Sequence, residues 1–229
     1  IRAITPRKLY RHYQDLLATS RIDIFYVGSA EPERVAELLK PVFSPAERQF
    51  APLPPQTPFQ SSGFSEKTET LAVSQGRLCM GFVTPITIRD KEFAAMQVLN
   101  SIFGAGMVSK LFMVVREQLS LCYEIGSSYL GTKGVVCVSG GIDSNMEKPV
   151  REQVLTQLEA CRQGQITDPE LLSAKASIIS SLRGTHDSGS AIEGYYATAA
   201  ISGLPLSPAD YMQAVEATTA EDVAKAAQT

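Results

Sequence analysis

Residues 104–129 read GAGMVSKLFMVVREQLSLCYEIGSSY, and the period of the apolar residues changes inside this stretch. From Ser109 to Gln118 the residues Leu111, Phe112 and Val115 fall on one side of a 3.6-residue repeat, whereas Leu121, Tyr123, Ile125 and Tyr129 alternate as on a half-buried strand. The spacing predicts a helix that turns a corner into a strand. Arg116 lies near the end of the helix and Tyr123 just past the corner, seven residues on, so the corner can aim both side chains at one point. Arg116 offers a permanently charged planar fork of donors, and the Tyr123 phenol donates a hydrogen bond while staying neutral at pH 7. Both suit a peptide carbonyl, a carboxylate or an oxyanion. Spacing alone leaves a packing role open as well, with Tyr123 on the strand face of Leu121 and Ile125 and with Arg116 in solvent, paired to Glu124.

Working outward, Gly104-Ala105-Gly106 ends a preceding helix that carries Phe93, Met96, Leu99, Ile102 and Phe103, with Asp90 as its expected N-cap. Downstream, Leu121 to Leu130 and Val135 to Ile142 read as a hairpin joined by Gly131-Thr132-Lys133-Gly134. A strand is expected over Thr68 to Thr84, broken near Gly76. The rest is helical: about 146–162, 168–183, 190–201, 207–216 and 220 onward, where Thr219 is a good N-cap with Asp222 at the third helical position.

Toward the N-terminus, Pro6 opens a helix over 6–19, Ile22 to Val27 alternates like a strand, Gly28-Ser29 turns, and Glu31 to Val42 is an amphipathic helix. Residues 44–63 hold Pro45, Pro52, Pro54, Pro55 and Pro58 and read as an extended connector. Strands followed by helices, without βαβ alternation, predict an α+β fold: a mainly antiparallel sheet of about four or more strands covered by helices, a two-layer sandwich. Residues 1–229 are read as one such domain, with 1–43 a helix-strand-helix unit, 44–63 the connector and 64–229 the main body.

The bulk composition narrows the function. Of 229 residues 44% are hydrophobic, enough for a real core, and 21 Lys and Arg face 24 Asp and Glu. With a formal charge of -3 and no block of like charge, neither nucleic acid nor an anionic membrane is an expected partner. No apolar run approaches the roughly 20 residues that span a bilayer. The four cysteines, Cys79, Cys122, Cys137 and Cys161, show no zinc spacing and are expected as small buried hydrophobes in a reducing compartment.

Hydrolytic machinery is hard to assemble from these residues. The two histidines, His12 and His186, sit in HYQDL and HDSGS, with neither H-E-x-x-H nor H-x-x-E-H around them. His12 is expected to pack on an apolar helix face, and His186 to sit in a loop between helices. No G-x-S-x-G occurs, and Gly104 to Gly106 lacks the length and the lysine of a phosphate-binding loop. No metal ligand set is expected within this chain.

Residues 104–128, with Ser109-Lys110-Leu111-Phe112, Val115-Arg116-Glu117, Leu121 and Tyr123 in order, resemble the signature of the pitrilysin and mitochondrial processing peptidase family of zinc peptidases. The early helix, the Ile22–Gly28 segment, Asp90 and the Thr218-Thr219-x-Glu-Asp-Val segment are similar too. The likeness is to the C-terminal part of one half of such a protein, of the non-catalytic type, without the N-terminal part that bears H-x-x-E-H. Ile1 is not a methionine and Thr229 lies in an expected helix, so the chain reads as a piece of something longer. The sequence departs from the commoner pattern at Ser120, often glycine, and Cys122, often alanine.

The resemblance implies that two similar halves close around an unfolded peptide. One half supplies zinc and a glutamate base. The other presents an arginine and a tyrosine, here Arg116 and Tyr123, to the substrate carbonyl and the oxyanion. It implies no cofactor in this chain, zinc on the partner, and as partners a peptide and a homologous zinc-bearing half or a second copy. Two alternatives stay open: a structural or assembly subunit with a degenerate peptidase fold, and the C-terminal part of an active homodimer whose zinc motif lies upstream. Free cysteines and no visible targeting segment favour a bacterial cytoplasm as the expected compartment.

Overall fold

A computed structural model describes residues 3–43 and 58–229. Two N-terminal helices come first, α1 (Pro6–Thr19) and α2 (Pro32–Phe43). Proline at the first position of α1 and the Thr5 hydroxyl, which accepts from the Lys8 N–H at 3.3 Å, set its start. Neither helix buries a residue. His12, expected to pack, is therefore exposed, because the face that carries it meets no covering element among the described residues.

The segment Ile22–Val27, expected as a strand, pairs with nothing in the described chain. Its alternation favours extended backbone, but a strand is made by its ladder, and Ile24, Tyr26 and Val27 remain 41–49% exposed. The Tyr26 hydroxyl accepts the Ala30 N–H at 2.9 Å and so closes the turn into α2.

The main body is the α+β arrangement: one antiparallel sheet covered by helices. The sheet has three strands among the described residues, in the order β1 (Gly76–Val83), β3 (Val135–Ile142), β2 (Glu124–Leu130). The strand expected from Thr68 begins only at Gly76, and the connector expected over 44–63 lies outside the described residues as far as Pro55 and its neighbours to 57. The β2–β3 hairpin forms where the turn residues place it. Gly134 turns there at φ +64, and a Cβ on it would sit 2.3 Å from the Thr84 carbonyl oxygen, so only glycine fits.

Pairing Cys79 with Ser139 and Ser139 with Gly126 fixes the register and hence the faces. Leu78, Met80, Phe82, Ile125, Val136 and Val138 point into the core. The opposite face is open to solvent at Arg77, Cys79, Gly81, Glu124 and Ser128.

The core centres on α3 (Phe93–Asn100), nearly all of which is buried, with Met96 at 1% and Val98 at 0% exposure. Asp90 does not cap α3: its carboxylate accepts the Thr87 N–H and hydroxyl, both at 2.7 Å, which closes the turn before the helix. The helix widens to π geometry over Ser101–Ala105 and stops at the extended Gly106. Then follow the Arg116 helix (Leu111–Gln118), α4 (Glu147–Arg162), α5 (Asp168–Gly184), α6 (Gly189–Ser202), α7 (Pro208–Ala217) and α8 (Ala220–Gln228). Val150, Val154, Cys161, Val215 and Val223, all at 0% exposure, join these helices to the core. Helices α5 and α8 begin with reciprocal capping boxes, Thr167 with Glu170 and Thr219 with Asp222. His186 lies in the short turn after α5.

Candidate functional site

The Arg116 helix is π-wound, with the Leu119 N–H reaching back five residues to the Val114 carbonyl at 3.0 Å. Such widened turns recur at functional sites. Its inner side is anchored by Leu111 and Val115, both at 0% exposure. Its start is tied by Lys110, whose ammonium lies 2.8 Å from the Glu170 carboxylate with both side chains largely out of water. Burial alone would push the Glu170 carboxyl up, but Lys110 and the Thr167 donors together hold it below the usual carboxylate range.

The corner itself turns at Ser120, whose φ of 52° is the one positive value at a non-glycine residue in the described chain. Left-handed backbone costs an L-residue roughly 1–2 kcal/mol, which gives a physical reason for glycine at this position in the commoner pattern. The Leu121 N–H then bonds the Val115 carbonyl at 3.0 Å, and the Tyr123 N–H bonds the Gly141 carbonyl at 3.1 Å, docking the chain onto β3.

Close approach of β2 to the end of the α3 π-turn depends on Gly104. A Cβ there would lie 2.7 Å from Leu111 Cδ1 and Ser127 Oγ and 2.8 Å from the Ser127 N–H nitrogen. The Ser127 hydroxyl donates to Asn100 Oδ1 at 2.8 Å and locks the same contact.

Arg116 sits on the last turn with its guanidinium carbon 4.6 Å from the centre of the Phe112 ring, four residues back. Its side chain is 39% exposed and its Nη1 lies 3.5 Å from the neighbouring Glu117 carboxylate. The pairing with Glu124 left open by the sequence does not form, since Glu124 pairs with Arg77 at 3.6 Å. Tyr123 is 65% exposed, and its hydroxyl has no hydrogen-bond partner among the described residues. Cys122 stands between the two: burial pushes its thiol up, and the positive charge of Arg116 acts on it in the opposite direction.

Both expected residues therefore rise from one braced corner and present donors to solvent. Three cavities among the described residues lie elsewhere: about 470 Å³ between Ile24, Tyr26 and α2, about 320 Å³ between residues 162–164 and α8, and about 310 Å³ beside Pro85, Arg89 and Asp90. None of these cavities is lined by Arg116 or Tyr123.

Sequence inspection missed Phe112 beneath Arg116 and the Lys110–Glu170 tie. The first was legible as a ring four residues before a cation on one helix face; the second joins residues sixty apart and had no local signal. Among the described residues no three His, Cys, Asp or Glu side chains gather to hold a metal ion, so zinc finds no donor set of the peptidase kind there. The cysteines depart from expectation: only Cys161 is buried, Cys122 and Cys137 are half-buried, and Cys79 is exposed. Cys79 and Cys137 belong to the solvent face of the sheet, which an apolar-run reading could not distinguish from the core face. No described helix is long and apolar enough to cross a membrane.

Comparison with known proteins bears on the fold and the family. The model of the "Peptidase M16 inactive domain" matches residues 3–178. A Bacillus subtilis (strain 168) protein named "Probable inactive metalloprotease YmfF" is 28% identical over 226 residues, covering 98% of this chain and 53% of the relative. The crystal structure of a conserved protein from Enterococcus faecalis V583 superposes with a TM-score of 0.87 at 29% identity, covering 99% of this chain and 54% of that one. The peptidase M16 inactive domain from Pseudomonas fluorescens gives a TM-score of 0.60 at 25% identity, over 68% of this chain and 38% of that one. The chain thus spans about half the length of the relative and the first of these structures. It belongs to the peptidase M16 family of zinc peptidases, as an inactive domain of that family.

Proposed function

We propose that this chain is the substrate-gripping, non-catalytic half of a zinc-dependent peptidase. Arg116 and Tyr123 hold a carbonyl of an extended peptide and stabilise the oxyanion that forms on it, while zinc and its base come from a homologous half. The observation that carries this is a pair of outward donors on a corner anchored by buried Leu111 and Val115 and by the backbone hydrogen bonds of Leu119, Leu121 and Tyr123. The Tyr123 phenol faces solvent and the Arg116 guanidinium, resting on Phe112, is partly exposed, so both have donors available to a ligand. Preorganised donors of this kind are the means by which an active site lowers the energy of developing negative charge.

Binding of a fluorescent, unstructured peptide to the chain, read by anisotropy, tests the grip apart from hydrolysis. Loss of a charge-assisted hydrogen bond costs about 1.5–3 kcal/mol, so Arg116→Ala should weaken binding by roughly 10- to 150-fold. Tyr123→Phe, which removes one neutral hydrogen bond, should cost about 2- to 10-fold. Equal affinity for wild type and both variants would refute the grip.

A further inference from the structure

The open face of the sheet carries two of the four cysteines. Residues opposite one another in a ladder share a face, so the pairs Cys79–Ser139 and Gly81–Cys137 put both thiols on the side away from the helices. On β2, Gly126 stands opposite Ser139 and Ser128 opposite Cys137. The charged groups of this face are Arg77 and Glu124, which pair with each other at 3.6 Å over Gly141. Neither Cys79 nor Cys137 is in a disulfide, and Cys79 is exposed. Beside them stands Gly81, where an added Cβ would meet no atom within 4 Å. The position next to Cys79 on this face of β1 and opposite Cys137 on β3 therefore carries no side chain and has open space above it among the described residues.

Cys79 and Cys137 are diagonal neighbours, a relation that sets Cα atoms about 7–8 Å apart with the Cβ atoms somewhat closer. A disulfide needs Cα atoms about 4.4–6.8 Å apart and is joined by a single sulfur–sulfur bond of about 2.05 Å. A metal ion placed between the sulfurs replaces that bond by two of about 2.3 Å each, lengthening the bridge by roughly 2.5 Å. The longer bridge matches the diagonal step; the disulfide falls short of it. Two thiolates with no third strong donor beside them suit a soft ion that accepts two-coordination.

We propose that Cys79 and Cys137 form a two-thiolate site for a soft monovalent metal ion of the Cu(I) kind, on the sheet face opposite the helical core. On binding, each thiol releases its proton and each sulfur donates a lone pair to the ion. Two protons leave per ion taken up, and no oxidation state changes. The ion would staple β1 to β3 across the face that is open among the described residues.

An anaerobic titration of the reduced 229-residue chain with Cu(I), in competition with a chromophoric Cu(I) chelator, tests this. One ion per chain should bind, and Cys79→Ser or Cys137→Ser should each weaken it by at least 100-fold while Cys122→Ser leaves it unchanged. In the unsubstituted chain, bound Cu(I) should protect Cys79 and Cys137 from alkylation and leave Cys122 reactive, a readout independent of whether any variant folds. Undiminished Cu(I) affinity in Cys79→Ser or Cys137→Ser, or equal alkylation of both thiols with and without the ion, would overturn the site. So would closure of an intramolecular Cys79–Cys137 disulfide by a mild oxidant, because it would put the sulfurs closer than the metal bridge requires.

Discussion

Replacing Gly104 by alanine probes the joint that holds the candidate site to the core. The added methyl would stand 2.7 Å from Leu111 Cδ1 and from Ser127 Oγ, and 2.8 Å from the Ser127 backbone nitrogen. Leu111 is at 0% exposure and cannot swing into water, and the Ser127 hydroxyl is held by Asn100. The backbone nitrogen belongs to β2 and moves only if the strand moves. Forcing an extra carbon into such a site costs about 1–3 kcal/mol. For a chain of this size each kcal/mol corresponds to about 2–4 °C in Tm, so the expected fall is roughly 2–12 °C. Thermal unfolding followed by circular dichroism measures it. Because Leu111 and Ser127 flank the Arg116 corner, peptide affinity should drop in the same variant at temperatures where it is still folded. An unchanged or higher Tm would show that β2 does not depend on close approach to Gly104.

Four further outcomes are expected. At Ser120 stability in urea should order Gly above Ser above Val, with glycine gaining up to about 1 kcal/mol from relief of the left-handed backbone; the reverse order would refute the strained corner. The carboxyl of Glu170 is held below its ordinary value of 4.5, so its contribution to stability is present above that pH and is lost as pH falls through the lowered value. Glu170→Gln should accordingly flatten the acid limb of the stability curve, and an unaltered limb would contradict the Lys110 tie. Thr167→Ala, which breaks the capping box of α5, should cost about 1 kcal/mol by chemical denaturation. Burial pushes the Cys161 thiol up to about 11, so it should react with a thiol reagent only on unfolding, whereas exposed Cys79 reacts at once; simultaneous reaction would argue against the core placement.

The elements legible in the sequence are those whose cause is local. The β2–β3 hairpin follows from alternation flanking Gly131 and Gly134, and α5 and α8 start at Thr167 and Thr219 because the capping residues stand there. What was not legible depends on distant partners. Ile22–Val27 alternates as a strand should, yet no neighbour in the described chain offers it a ladder. Cys79 and Cys137 sit in apolar runs, and only the register against β3 reveals that they face solvent. Arg116 and Tyr123 were visible as a spaced pair, and Phe112 under Arg116 follows from i,i+4 spacing on one helix, but their bracing by Gly104 and the Lys110–Glu170 ion pair is tertiary. The Ser120 conformation sits between these cases: serine gives no positive-φ signal, while its departure from the commoner glycine marks the corner.

The central claim is that this chain lends Arg116 and Tyr123 to chemistry performed on another half. Its most direct test is kcat/KM for peptide cleavage by a zinc-bearing family member mixed with this chain. Cleavage should require both components, and Arg116→Ala or Tyr123→Phe should lower the rate by roughly 100- to 1000-fold, as for removal of one oxyanion donor. A mixture that cleaves as fast with both residues replaced as with neither would contradict the account.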